Sequence, residues 1–178
     1  MLNKFPLLAA LAMITMTTGL AAKPVAYIYS LSHPEKISII QGKTATKAAR
    51  YLNLEDGATL KLADGSAITL FHTSGRKLSL DQKCAIRVTA QGIEPLDADT
   101  KAMIEAKGEM LVRPMGGSRD SSKNELPDHV QRELEAVEAN IADPVGRALV
   151  KVEIFNKYGM KKRAKAEFEN YEKLRKMR

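Results

Sequence analysis

Gly57-Ala58-Thr59-Leu60-Lys61-Leu62-Ala63-Asp64-Gly65-Ser66-Ala67-Ile68-Thr69-Leu70 decides the fold class of the N-terminal half. Leu60 and Leu62 share one face of an extended segment, as do Ile68 and Leu70, which is the period-two pattern of half-buried strands. Between them Asp64-Gly65-Ser66 supplies the positive φ angles of a type I′ turn, so the spacing predicts a hairpin. The same alternation recurs on both sides. Lys36-Ile37-Ser38-Ile39 is one such run, and Cys84, Ile86 and Val88 line one face of another. Glu55-Asp56-Gly57, Ser74-Gly75 and Gln91-Gly92 mark further reversals. Strands and turns from Val25 to about Leu96 predict a small antiparallel β-sandwich or roll within residues 23–112.

Residues 97–110 read either as irregular chain or as a short helix packed on the sheet. Residues 113–125 are expected to be a flexible linker, because 114–124 are rich in glycine and serine with no apolar period. Residues 126–178 carry three helical stripes. Val130, Leu134, Val137 and Ile141 form the first. Asp143-Pro144 restarts the chain as an N-cap followed by proline, and Val145, Ala148, Leu149, Val152, Phe155 and Tyr158 form the second stripe. Gly159 stands where a C′ glycine would end it, and Ala164, Phe168, Tyr171 and Leu174 form the third. The expected class is therefore α+β, the last two helices stacking as an antiparallel hairpin.

Residues 1–22 have the three parts of a cleavable signal peptide. Lys4 lies in the n-region, an uncharged apolar stretch runs from Phe5 to Met16, and Gly19-Leu20-Ala21-Ala22 offers small residues at the exit. The stretch is shorter than the ~20 apolar residues of a spanning helix. The remainder from Lys23 is expected to be soluble, without a transmembrane segment, and exported to the periplasm or beyond. With Cys84 the one cysteine, no disulfide forms within the chain. Its alternating apolar neighbours predict a buried thiol.

Two segments resemble known families. The run from Gly57 to Leu70 resembles the core repeat of FecR-like domains, with Asp64, Gly65 and Ser66 as the family-like hairpin turn. That resemblance implies a β-rich periplasmic module of the kind found in regulators of metal uptake and in other envelope proteins. Those regulators keep a cytoplasmic helical segment ahead of a spanning helix, whereas a cleavable signal comes first here, so a stand-alone exported module is the nearer analogy. Ala148, Val152, Phe155, Gly159, Ala164, Phe168 and Tyr171 resemble the packing positions of a single tetratricopeptide unit, with Ala148 where that repeat has a large residue. An ordinary helical hairpin reads equally well from one copy.

Chemistry is sparse in the pattern. Gly42-Lys43-Thr44 lacks the earlier glycine of a phosphate-binding loop, Ile37 standing in its place. His33, His72 and His129 are far apart without ligand-spaced partners, so no metal site is expected. His72 reads as a turn-flanking residue bonded to backbone. The pairs Asp97/Asp99 and Glu133/Glu135 read as parts of solvated segments. No catalytic, cofactor-binding or metal residue is assigned, and no cofactor is implied.

The charge is uneven. Residues 23–142 carry 16 Lys+Arg against 16 Asp+Glu, whereas 143–178 carry 11 against 5. Lys161, Lys162, Arg163 and Lys165 form a candidate partner-binding basic surface, read alternatively as a solvated helix face. Export makes nucleic acid an improbable partner, leaving an envelope protein, an acidic polymer or an anionic lipid surface. The expected function is a non-enzymatic envelope module that binds another envelope component. The alternatives are a cell-wall-active enzyme accessory and a membrane- or wall-surface anchor working through the basic tail.

Overall fold

Among the described residues ten strands form because apolar residues alternate between turns, and they sort into two antiparallel sheets. The computed structural model describes residues 23–115 and 126–178; the expected signal peptide and residues 116–125 of the expected linker lie outside the described residues. The strands are β1 (Ala26–Ser32), β2 (Ile37–Gln41), β3 (Thr44–Lys47), β4 (Asn53–Leu54), β5 (Ala58–Leu62), β6 (Ala67–His72), β7 (Arg76–Leu80), β8 (Cys84–Val88), β9 (Ile93–Pro95) and β10 (Met110–Leu111). The first sheet runs β10-β7-β6-β1-β4 and the second β3-β2-β5-β8-β9. Four helices accompany them: α1 (Ala98–Lys107), α2 (Asp128–Asn140), α3 (Pro144–Lys157) and α4 (Lys161–Lys176). The class is α+β, with the last three helices at the C-terminal end.

The turn at Asp64-Gly65-Ser66 is present but closes no hairpin. β5 pairs with β2 and β8, whereas β6 pairs with β1 and β7, so the turn carries the chain from one sheet to the other. The reason is conformational. A type I′ turn needs positive φ at both central residues, but here only Gly65 has it (φ 76°) and Asp64 does not. Ser66 N–H donates to Ala63 O at 3.2 Å and Ser66 Oγ–H to the same oxygen at 2.7 Å. A single positive φ at the third position splays the flanking strands instead of twisting them together. Leu60 and Leu62 then meet Ile68 and Leu70 across the sandwich rather than beside them.

Between the sheets lies a core that includes Ile28, Ile39, Leu54, Leu60, Ile68, Leu70, Leu78, Leu80, Cys84, Ile86 and Val88. α1, one of the two readings of its segment, packs Met103 and Ile104 against this core. Asp97 is its N-cap, accepting from Thr100 N–H at 2.6 Å, and Thr100 Oγ1 accepts from Ala85 N–H at 3.1 Å.

The other face of the first sheet is also covered. Tyr27, Tyr29 and Phe71 point away from the sandwich core into a second cluster with Val130, Val137, Ile141, Leu149, Val152 and Tyr171 of the helical layer. β1 is thus buried on both faces, which explains the unbroken apolar run Val25-Ala26-Tyr27-Ile28-Tyr29. α3 begins as its sequence dictates, with Asp143 Oδ2 accepting from Gly146 N–H at 3.0 Å. It ends in a Schellman motif, Met160 N–H to Phe155 O (2.8 Å) and Gly159 N–H to Asn156 O (3.0 Å), with Gly159 at φ 70°. α4 returns antiparallel to α3. Among the described residues no helix is long and apolar enough to cross a membrane.

Candidate functional site

The four cations singled out by the sequence sit at the start of α4. Lys161, Lys162 and Arg163 occupy its first turn, where Met160 supplies no side-chain cap and no acid is present. Cations at a helix N-terminus oppose the helix dipole. Lys161, Lys162 and Lys165 line an open groove of about 820 Å³, whose other wall is Arg113, Pro114 and Met115; Arg163 is not part of it. Phe168, Glu169 and Glu172 continue the α4 wall. Pro114, Met115 and Phe168 give the groove apolar lining, among the cations Arg113, Lys161, Lys162 and Lys165 and the carboxylates of Glu169 and Glu172.

Asn156 builds the first wall. This α3 residue is buried, and its side-chain amide donates from Nδ2 to Arg113 O at 2.9 Å and accepts from Met115 N–H at 3.1 Å on Oδ1. That pair of bonds, to the C=O of one residue and the N–H two residues on, is what a neighbouring β-strand would provide. The amide therefore holds 113–115 extended past the end of β10. Nothing in the sequence flags it, because a lone Asn in an amphipathic helix looks like an exposed position.

Among the described residues β10 is the edge strand of its sheet. β10 pairs with β7 through Met110↔Lys77 and Leu111↔Arg76, and Val112 N–H donates to Gly75 O at 2.8 Å. By the alternation of an antiparallel ladder, the N–H and C=O of Leu111 point away from β7. Met110, Leu111 and Met115 are 57%, 54% and 59% exposed. Among the described residues, three of the six exposed large apolar side chains thus fall within six positions.

Two polar clusters elsewhere are structural. Glu133, read as solvated from the sequence, has a side chain only 8% exposed. Its carboxylate accepts from Arg50 Nη2, Tyr51 OH (3.4 Å), Lys157 Nζ (3.1 Å) and Tyr158 OH (3.0 Å). Amphipathic periodicity put it on a polar face, but Arg50 and Tyr51 from the chain between β3 and β4 close over that face. Burial alone raises the Glu133 carboxyl; the bonds from Lys157, Tyr158 and Arg50 outweigh it and hold the group below the usual carboxylate range. A carboxylate so occupied stays ionised and clasps the helices to the sandwich. Tyr51 (φ 63°) is held in its left-handed conformation by this clasp and by its N–H bond to Ile28 O.

His72 is bonded as a turn-flanking residue. Its Nε2–H donates to Thr89 O at 2.8 Å, which leaves Nδ1 as acceptor from Ser74 Oγ (2.7 Å) and from Ser74 N–H (3.2 Å). Because Nδ1 also receives the Ser74 backbone, the pairing closes a turn and does not present a serine to substrate. Burial lowers the His72 pKa, the bond to Thr89 opposing it in part. Cys84 is buried, and its thiol is pushed up to about 11 by burial first and by Asp97 second. Among the described residues no group of three His, Cys, Asp or Glu side chains could hold a metal ion. No family model, curated protein or solved structure matches this chain.

Proposed function

We propose that this chain is an exported, non-enzymatic module of the cell envelope, most simply the periplasm, that binds another envelope component at the groove between residues 113–115 and α4. The observation that carries the reading is that groove, which sets the apolar side chains of Met115 and Phe168 among exposed charged residues such as Arg113 and Lys165. The FecR-like resemblance of residues 57–70 and the tetratricopeptide-like spacing of the last two helices fit a module of this kind.

The test is capture from a solubilised envelope fraction with immobilised wild type and with the double variant Arg113→Glu/Lys165→Glu. Both substituted residues are exposed, so folding should be preserved. A specific partner retained by wild type and lost by the variant is expected. Equal retention by both, or a substrate turnover found in an activity screen of the purified protein, would overturn the assignment. Export is tested separately by the mass of the protein recovered from the periplasm, which should begin at or within a residue of Lys23.

A further inference from the structure

We infer that the turn from His72 to Gly75 is a proton-operated latch: a proton on His72 removes the acceptor that closes the turn, and the turn loosens its hold on β10 and the chain leading into the groove. The latch stands on its own hydrogen bonds. Only its consequence for a bound partner rests on the proposed binding role.

His72 is the last residue of β6 and is 1% exposed. Its ring ties one sheet to the other, because Nε2–H donates to Thr89 O, just past β8, at 2.8 Å. That bond fixes the proton on Nε2 and leaves Nδ1 bare, to accept from Ser74 Oγ–H at 2.7 Å and from Ser74 N–H at 3.2 Å. Gly75 N–H then turns back to His72 O at 2.9 Å, with Gly75 at φ 90°. Gly75 O in turn accepts from Val112 N–H at 2.8 Å, and from Val112 the chain enters the wall at 113–115. A Cβ on Gly75 would meet the Tyr171 hydroxyl of α4. One turn thus touches both elements that make the groove.

A second proton on the ring makes Nδ1 a donor. Ser74 Oγ can adapt by turning its hydrogen away and accepting instead. Ser74 N–H has no such freedom, since it lies in the peptide plane and would face another N–H across the same short gap. Opening the turn relieves that clash. The charges around the ring do not rescue the closed form. Glu109, ahead of β10, favours the proton, but its carboxylate already accepts from Arg76 Nη1 at 2.8 Å. Arg76 of β7 and Arg178 beyond α4 oppose it. The bond to Thr89 O favours it, yet burial is the largest influence and holds the closed His72 below its ordinary pKa. Opening wets the ring and returns it toward about 6.5. The closed turn is therefore complete above that value and is lost progressively as pH falls below it. Between pH 7 and pH 5 the open fraction rises by up to about 25-fold, the ceiling that an open-state value of about 6.5 sets. A compartment outside the cytoplasm follows the pH of its surroundings, which is where such a latch would act.

The experiment is native-state hydrogen exchange of the purified protein at pH 7, 6 and 5, corrected for the intrinsic rate at each pH and repeated in low urea. The Ser74 and Val112 amides should lose protection as pH falls, by up to about 25-fold at pH 5. Their exchange should ignore low urea, because a turn exposes little surface on opening, whereas core amides of β5 should respond to it. The loss should follow the titration of the His72 Hε1 proton by NMR, with exposed His33 as the internal reference. His72→Gln cannot titrate and should flatten it; the agreement of the two titrations in wild type decides the matter without the variant. Protection at Ser74 and Val112 that is independent of pH, that responds to urea as β5 does, or that keeps its pH dependence in His72→Gln would overturn the inference. In the capture experiment wild type should retain its envelope partner less well at pH 5 than at pH 7, and His72→Gln equally at both. If the exchange results hold and no partner is retained at either pH, the latch stands and the binding role falls.

Discussion

Replacing Gly146 by alanine should destabilise the protein, against the ordinary rule. In a helix interior Gly→Ala normally stabilises by about 0.5–1 kcal/mol, because alanine loses less backbone entropy. At Gly146 the geometry reverses the sign. An added Cβ would lie 2.5 Å from the Tyr27 hydroxyl oxygen and closer still to its Cζ and Cε2. The ring has nowhere to go. Tyr27 is fully buried in β1, its hydroxyl donates to Asp143 Oδ2, and the same oxygen caps Gly146 N–H. Overpacking of a closed site typically costs about 1–3 kcal/mol, and a ring this confined belongs in the upper half of that range. Subtracting the helix gain leaves a net loss of roughly 1–2.5 kcal/mol, which for a chain of this size lowers Tm by about 3–8 °C. Thermal unfolding followed by circular dichroism gives the comparison directly. Tyr27→Leu supplies the second arm of a cycle, since it removes the ring, and Gly146→Ala should then be neutral or stabilising. A Gly146→Ala protein at least as stable as wild type, or the same loss in both backgrounds, would refute the close approach of α3 to β1.

Other consequences follow from the polar clusters. Glu133→Gln should lose about 1–3 kcal/mol in urea unfolding at neutral pH, the usual worth of hydrogen bonds to a charged group. Because the folded carboxyl titrates below its unfolded value, that stabilisation is complete above the unfolded pKa, and the gap to wild type should close as pH falls below about 4. His72 is held neutral, so its folded pKa lies below the unfolded one; stability should be full above about pH 6.5 and decline as pH drops below that, a limb absent from His72→Gln. Asn156→Ala should release the wall of the groove, and hydrogen exchange at the Met115 amide should speed by at least about fivefold, as loss of one buried bond of about 1–3 kcal/mol implies.

The elements were largely readable because their signals are local. Alternation marked β2, β5, β6 and β8, and Asp143-Pro144 with Gly159 bracketed α3 closely, since caps satisfy backbone groups within a few residues of themselves. The sheet to which each strand belongs was not readable. Asp-Gly serves both a I′ hairpin and the single-positive-φ turn seen at Asp64-Gly65, and the choice is settled by packing of Leu60 and Leu62 across the core. At the candidate site the run of cations was legible, but not that Arg163 stands outside the groove or that Phe168, one of the apolar stripe, also floors it. Glu133 and Asn156 were invisible for the same reason. Each acquires its role from residues 41 or more positions away, or 24 or more for some of the Glu133 donors, and a single polar residue in a helix carries no trace of them.

The docking of the helices changes what the basic segment means. Had α3 and α4 been an appendage, the cations would form one face of a freely moving hairpin, suited to any anionic surface. Instead Tyr171 OH donates to Thr73 O at 3.1 Å, and Gly75 (φ 90°) lies so close that a Cβ there would sit 2.8 Å from the Tyr171 hydroxyl oxygen. α4 is thereby fixed against the β6–β7 turn, and its Lys165 and Phe168 are fixed relative to β10. A groove whose walls are held in this way would need little ordering on binding, which favours the proposed role over that of a mobile basic arm.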